Sequence, residues 1–322
     1  MTPLDIMNHQ SASQNSSARF VLGTVQLGLS YGVANQDGMP SLEEAALIVN
    51  TAIQNGVREI DTARLYGESE ARLGSILTDD LAKGVHVITK LDHLAELDET
   101  STVEQVRSSV EKSIYTSVEK LALGALDTVL IHKAFHRTRY NGAIWERLCE
   151  FKQEGLIKNL GQSAQTAQEA IDAINDEDVR HIQLPYNLLD WRWKEAGVPE
   201  LAQARTDLTI HSRSTYLQGL LLLKDAQKWP TISDVDAAKI IQGINTCVQE
   251  LNRESAHDLC LAYVRAQAWI DGVVVGVETN EQLLDNLKVF DTPPLTAEEI
   301  QYVDNVLGRW PETLLNPVHW SN

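Results

Sequence analysis

The stretch GVREIDTARLYGESEARLG, from Gly56 to Gly74, decides how the rest of the chain is read. Its first half, 58–62, is a short strand candidate ending in Asp61. Its second half opens a helix candidate at 69–77, and Tyr66 falls in the loop between them. In a parallel sheet with helical crossovers, the loops that follow the strands are where active sites are built. Taken alone, an Asp at a strand end caps a loop and a Tyr beyond it packs on a rim.

Working outward, the same strand-loop-helix unit recurs along the chain. Strand candidates fall at 20–26, 58–62, 86–91, 126–132, 157–163, 181–184, 208–212 and 272–277. Helix candidates fall at 42–55, 69–77, 102–121, 142–154, 166–175 and 280–289. The capping grammar is clear at 42–55, with Ser41 at the N-cap, Glu43 and Glu44 in the first turn and Gly56 past the end. Eight strands suit a closed (β/α)8 barrel, although alternation alone fits an open doubly wound sheet equally well. An open dinucleotide-binding sheet would carry GxGxxG after a strand, and Gly23, Gly28 and Gly32 lack that spacing. The expected architecture is therefore a (β/α)8 TIM barrel over 19–322. It has an extra C-terminal helix at 296–307 and an elaborated loop plus helix after strand 7, where 220–254 contains Trp229-Pro230.

The bulk composition narrows the function classes. A chain of 322 residues with net charge −18 repels phosphate backbones and anionic lipid, which argues against nucleic-acid and membrane partners. No apolar run approaches the roughly 18 residues of a membrane span. Residues 1–18 lack a basic start and an apolar block, so they read as a disordered tail rather than a signal peptide, and a cytoplasmic location is expected. Cys149, Cys247 and Cys260 show neither disulfide arithmetic nor metal-ligand spacing, and no metal is expected.

Two further strand ends supply partners for Asp61 and Tyr66: Lys90 in VITKL and His132 in LDTVLIHKAF. With Asp-Thr-Ala, Tyr-Gly and Ser-Glu standing in order before a helix, the chain resembles the aldo-keto reductases from about 20 to 290. The resemblance implies an oxidoreductase that moves a hydride between a nicotinamide dinucleotide and a carbonyl or alcohol, with Asp61, Tyr66, Lys90 and His132 catalytic. The alkoxide left by hydride addition needs a proton donor in an electropositive setting. Tyr66 is then the acid in reduction and the base in oxidation. Lys90 makes the phenol more acidic, Asp61 keeps Lys90 charged and oriented, and His132 hydrogen-bonds the substrate oxygen.

The same resemblance implies the remaining contacts. Ser163 and Gln183 would hold the nicotinamide carboxamide, although Ala164 stands where the family often has Asn. Alignment through Gln218-Gly219 puts Arg213 where an aromatic ring commonly stacks on the nicotinamide, with Ser212 and Gln218 beside it. An Arg next to an oxidised ring is electrostatically unfavourable, so Arg213 is also a candidate grip for a phosphate or an anionic substrate. The segment VVVGVETNEQLLDNLKVF would hold the adenosine end, through Gly276, Glu278, Gln282 and Asn286. The family favours NADP(H) over NAD(H), while a carboxylate at Glu278 would repel a 2'-phosphate. Tyr31, Tyr216 and the 133–137 segment, with Lys133 and Phe135, are placed on the substrate rim; a lining of Arg, Lys and Tyr suits a sugar-like or anionic carbonyl compound. Two other classes fit the barrel: a redox-sensing subunit that binds cofactor with little turnover, and a lyase or isomerase using Lys90.

Overall fold

The computed structural model describes residues 18–32 and 38–320, so the tail expected at 1–18 lies outside it except for Ala18. Within those residues eight strands pair in parallel in chain order: β1 (Arg19–Gly23), β2 (Glu59–Asp61), β3 (His86–Lys90), β4 (Leu126–Ile131), β5 (Ile157–Ser163), β6 (His181–Pro185), β7 (Thr209–Arg213) and β8 (Gly272–Gly276). The sheet closes because β1 pairs with both neighbours, Val21 opposite Glu59 on β2 and Arg19 opposite Gly272 on β8. This is the (β/α)8 barrel expected from the strand count.

Strand side chains alternate between faces, so residues two apart point the same way. The pairs Glu59 and Asp61, Ile88 and Lys90, His181 and Gln183, and His211 and Arg213 therefore share the barrel axis, the second of each lying nearer the C-terminal mouth. The interior below the mouth is filled by side chains of matched size. His211 fits because Gly272 faces it: a Cβ there would come within 2.7 Å of the imidazole. The His181 and His211 rings stand 4.2 Å apart. Burial keeps both uncharged, pushing His181 down to about 3 and His211 well below its ordinary value.

Amphipathic helices close the outside. In Leu42–Gln54 the buried set is Ala45, Ile48, Val49 and Ala52, the spacing of one helical face, and Ser41 Oγ accepts from Glu44 N at 3.1 Å as its capping position predicts. Burying Ile48 or Val49 there contributes about 1.5–3 kcal/mol each.

Three segments differ from expectation. The first strand stops at Gly23, and a one-turn helix, Val25–Gly28, follows. Thr24 ends the strand because its N–H and its hydroxyl both turn to the Asp61 carbonyl, at 3.0 and 2.7 Å. Between β6 and β7 lie two short helices, Arg192–Glu195 and Val198–Gln203, where no helix was expected. After β7 come two 3-10 turns, Leu220–Leu222 and Ala226–Lys228, and then two helices, Ala237–Glu250 and Ala256–Arg265, rather than one. The first of these packs on the C-terminal helix Ala297–Leu307, which is followed by a further turn, Glu312–Leu315. Among the described residues no helix is long and apolar enough to cross a membrane.

Candidate active site

Lys90, the last residue of β3, is 1% exposed. Its Nζ lies 2.8 and 2.7 Å from the two Asp61 carboxylate oxygens, 3.0 Å from the Thr62 carbonyl and 3.4 Å from the Tyr66 hydroxyl. Burial alone would favour the neutral amine. The Asp61 carboxylate and, behind it, Tyr66 outweigh that, and Lys90 holds its proton above the ordinary 10.5. Asp61 Oδ2 takes a further bond from Gln183 Nε2 at 2.7 Å. The His132 ring stands edge-on to Tyr66 at 6.3 Å and to His93 at 4.7 Å. Burial, reinforced by the charges of Lys90, His93, Arg213 and Lys133, drives its pKa down to about 2, so it is a neutral imidazole across the working range. The structure thus gathers Asp61, Tyr66, Lys90 and His132, from three strand ends and one loop, at one mouth.

The rest of the 56–74 motif builds the seat for Tyr66. The Thr62 and Ser69 hydroxyls lie 2.9 Å apart, Ser69 donates to Thr24 Oγ1 at 2.7 Å, and Thr24 in turn donates to Asp61 O. Glu70, fully buried, accepts from Arg64 and from Thr89, both at 2.7 Å. Gly28 lies flush against the loop, where a Cβ would stand 1.8 Å from Tyr66 O and 2.5 Å from Ser69 N. Gly67 has φ +54, and a Cβ there would stand 2.2 Å from Gly28 O. Two glycines in contact therefore fix the height of the phenol over Lys90.

A cleft of about 760 Å³ runs from this mouth across the ends of β7, β8 and β1, within the range of ligand sites. Of the residues assigned from sequence, Ser163, Gln183, Arg213, Gln218, Gly276, Glu278, Gln282, Asn286, Tyr31 and Lys133 line it. Ser212 and Phe135 do not. Ser212 is fully buried and, one residue from Arg213, faces away from the barrel axis by strand alternation, its Oγ 3.5 Å from Gly272 O. Phe135 sits on a 3-10 turn, 53% exposed, edge-on to His136.

Several of the lining residues have partners already. Asn286 Oδ1 accepts from Tyr216 OH at 3.0 Å and lies 3.0 Å from His257 Nε2, while its amide donates to Gln282 O. Gln282 Oε1 accepts from Glu278 N at 2.8 Å. Gln218 Nε2 donates to Tyr31 OH at 3.3 Å. Gln26, Gln165, Ser214, Thr215, His257 and Asp285 also form the wall and were not singled out from sequence. Gln26 alone carried a signal, since it follows the first strand on the mouth side. Among the described residues no group of three or more His, Cys, Asp or Glu is placed to hold a metal.

The wall suits a nicotinamide dinucleotide. Gln26 Oε1 and Gln183 Oε1 are buried acceptors without a partner among the described residues, which an amide N–H would satisfy. Gly276 leaves backbone as floor, since a Cβ there would meet the Gln26 side chain at 2.3 Å.

A (β/α)8 barrel with this mouth and this wall defines a nicotinamide-dependent oxidoreductase. The family model described as the aldo/keto reductase family matches residues 19–307, and the chain belongs to that family. It is 24% identical over 294 residues to an oxidoreductase described as uncharacterized, YqkF of Bacillus subtilis (strain 168), covering 87% of this chain and 93% of that protein. It is 27% identical over 256 residues to an aldo-keto reductase of Mycobacterium avium (strain 104), covering 77% of each. The fold is shared with the holo form of aldo-keto reductase AKR11C1 from Bacillus halodurans, at TM-score 0.72 and 20% identity over 91% of this chain and 94% of that one.

Proposed function

We propose that this enzyme reduces an aldehyde or ketone, or runs the reverse oxidation, with Tyr66 as the acid or base. The observation that carries the reading is the Lys90 ammonium, buried between the Asp61 carboxylate and the Tyr66 hydroxyl at the barrel mouth. When bound, the reduced nicotinamide supplies a hydride to the carbonyl carbon. Tyr66 gives its proton to the carbonyl oxygen, and the phenolate it becomes is stabilised by the ammonium 3.4 Å away. Asp61 keeps that ammonium charged. His132 has its Nδ1 buried without a partner among the described residues, so its neutral ring is read as donating from Nε2 to the same carbonyl oxygen. Ser163 and Gln183 would hold the carboxamide, with Gln183 Oε1 accepting while its amide stays on Asp61.

Family resemblance favours NADP(H). The charges on the wall after β8 weigh the other way, and we read the preferred cofactor as NAD(H). Glu278 and Asp285 line that wall beside Gln282 and Asn286, and none of the described lining residues after β8 is a Lys or Arg; the cations of the cleft, Lys90, Lys133 and Arg213, come from other strand ends. Carboxylates accept from a ribose diol and repel a 2'-phosphate.

One assay tests the reading. Reduced-cofactor absorbance falls when a reactive aldehyde is added, and Tyr66→Phe slows the fall by about 10²- to 10⁴-fold. Tight cofactor binding with no oxidation by any carbonyl compound would favour the redox-sensing class instead. The lyase or isomerase class leaves the cleft beyond Lys90 without a use.

A further inference from the structure

Arg213 ends β7 with its side chain in the cleft, and its backbone is fixed by the Tyr186 N–H, which donates to its carbonyl at 2.9 Å. Its guanidinium is half-buried and, among the described residues, makes one hydrogen bond, from Nη2 to Gln165 Oε1 at 2.9 Å. Gln165 is itself pinned, its backbone N donating to Glu169 Oε2 at 2.6 Å. Four other arginines withdrawn from water have carboxylate partners, Arg64 with Glu70, Arg147 with Glu111, Glu150 and Glu154, Arg192 with Asp190, and Arg253 with Asp258, while Arg265 donates to the Thr292 carbonyl. Arg213 has none among the described residues. Withdrawing a guanidinium from water without a counter-charge is costly, and such groups are normally paired. The groups that act on it most, after burial, are Tyr66, Tyr31, Asp61 and Arg192, which places it beside the catalytic phenol. Asp61 is already paired with the Lys90 ammonium through both its oxygens and makes no ion pair with Arg213. Lys133, from the loop after β4, adds a further cation to the lining of the cleft, in a chain whose net charge is −18.

We propose that Arg213, held by Gln165 and with Lys133 lining the same cleft, anchors an acidic group of the substrate, so that the enzyme acts on carbonyl compounds also carrying a carboxylate or a phosphate. The proposal rests on the oxidoreductase reading and narrows it. A planar guanidinium with free N–H groups binds carboxylate or phosphate oxygens in pairs, which would also set the carbonyl at a fixed distance from Tyr66.

Matched pairs of aldehydes test it: succinic semialdehyde against butyraldehyde, and glyceraldehyde 3-phosphate against glyceraldehyde. The wild type is expected to favour the acidic member of at least one pair by tenfold or more in kcat/KM, and the two pairs separate carboxylate from phosphate. Arg213→Gln should reduce that ratio about tenfold, toward one, the scale of a charge-assisted contact, while Arg213→Lys keeps part of it. Added salt should shrink the wild-type ratio, a readout that needs no variant to fold. Equal turnover of both members by the wild type overturns the proposal. So does an equal loss on both members in Arg213→Gln with a matching rise in cofactor Kd, which would assign the guanidinium to the cofactor phosphates. Turnover of the neutral aldehydes upholds the oxidoreductase reading whichever way the ratio falls. If no aldehyde is reduced, calorimetry with succinate against butyramide, in wild type and Arg213→Gln, still decides: tighter succinate binding lost in the variant supports the anchor, and equal binding refutes it.

Discussion

Replacing Asp61 by Asn removes the counter-charge of a buried ammonium while leaving the shape of the site nearly intact. In the folded protein the Asp61 carboxylate accepts two bonds from Lys90 and one from Gln183, all between 2.7 and 2.8 Å. Asn offers one oxygen for those donors and turns its own amide toward one of them, so at least one N–H meets another N–H. Breaking a buried ion pair by deleting one partner costs about 3–5 kcal/mol, because the remaining charge stays out of water. The pH dependence gives a second signature. In the wild type the folded-state pKa of Lys90 is raised above 10.5, so the stability that the pair contributes is fully present below 10.5 and is lost only as pH climbs through the folded value. Without Asp61, burial becomes the dominant influence and the folded pKa drops below 10.5. The unfolded chain then binds the proton more tightly, and the variant gains stability as pH rises toward 10.5. Urea unfolding of both proteins from pH 6 to 10 measures this. The expected result is a variant destabilised by about 3–5 kcal/mol at pH 6, with the gap narrowing at alkaline pH. A gap under about 1 kcal/mol, or one that stays constant with pH, would refute the assignment of Lys90 as a cation held by Asp61.

Gly28→Ala should cost about 1–3 kcal/mol and lower kcat, because the added carbon would stand 1.8 Å from Tyr66 O and must push the loop away from Lys90. Gly124→Ala, whose added carbon meets nothing within 4 Å, is the control; equal effects on kcat and on thermal midpoint in the two variants would show that the contact does not set Tyr66. His132, His136 and His181 have folded values near 2, 4 and 3 against 6.5, so the unfolded chain takes up their protons first and stability falls as pH drops below 6.5. His181→Gln should reduce that slope between pH 6 and 4 by about 1.4 kcal/mol per pH unit in urea titrations, and an unchanged slope would place the acid sensitivity elsewhere. Glu278→Arg should move the ratio of NADPH to NADH affinity toward NADPH by about tenfold in fluorescence titrations; a wild type that already prefers NADPH would contradict the charge argument for this wall.

The parts of the site legible in sequence were those where burial and polarity conflict. Asp61, Lys90 and His132 each stand at or just past the mouth end of a strand, and a polar residue at that point must have a partner or a task. Tyr66 came from the resemblance of its motif to that of the aldo-keto reductases, and the motif's Thr62, Ser69 and Glu70 prove to be braces for the loop. Alternation could have excluded Ser212, since Arg213 and Ser212 cannot both face the axis of one strand. The helix at Val198–Gln203 also had a readable start, with Gly197 at φ 73 and Pro199 in its first turn, but it is too short to show a hydrophobic period. Gln165 had no signal, because a loop glutamine two residues past a strand is ordinary. Its role exists only through Arg213, 48 positions along the chain.

That division follows from what each residue must satisfy. A group fixed by its own strand is constrained locally, and the constraint is written in the few residues around it. Gln183 is the intermediate case. The family resemblance marked it as a wall residue, yet the structure commits an N–H of its amide to Asp61, 122 positions away, and leaves its oxygen for a ligand. Asp61 therefore orients two residues at once: Lys90, which acts on the phenol, and Gln183, whose free oxygen is read as the carboxamide acceptor. Under the proposed function, the variant Asp61→Asn should weaken cofactor binding as well as the chemical step, whereas Tyr66→Phe, which removes a hydroxyl without touching that carboxylate, should spare cofactor affinity.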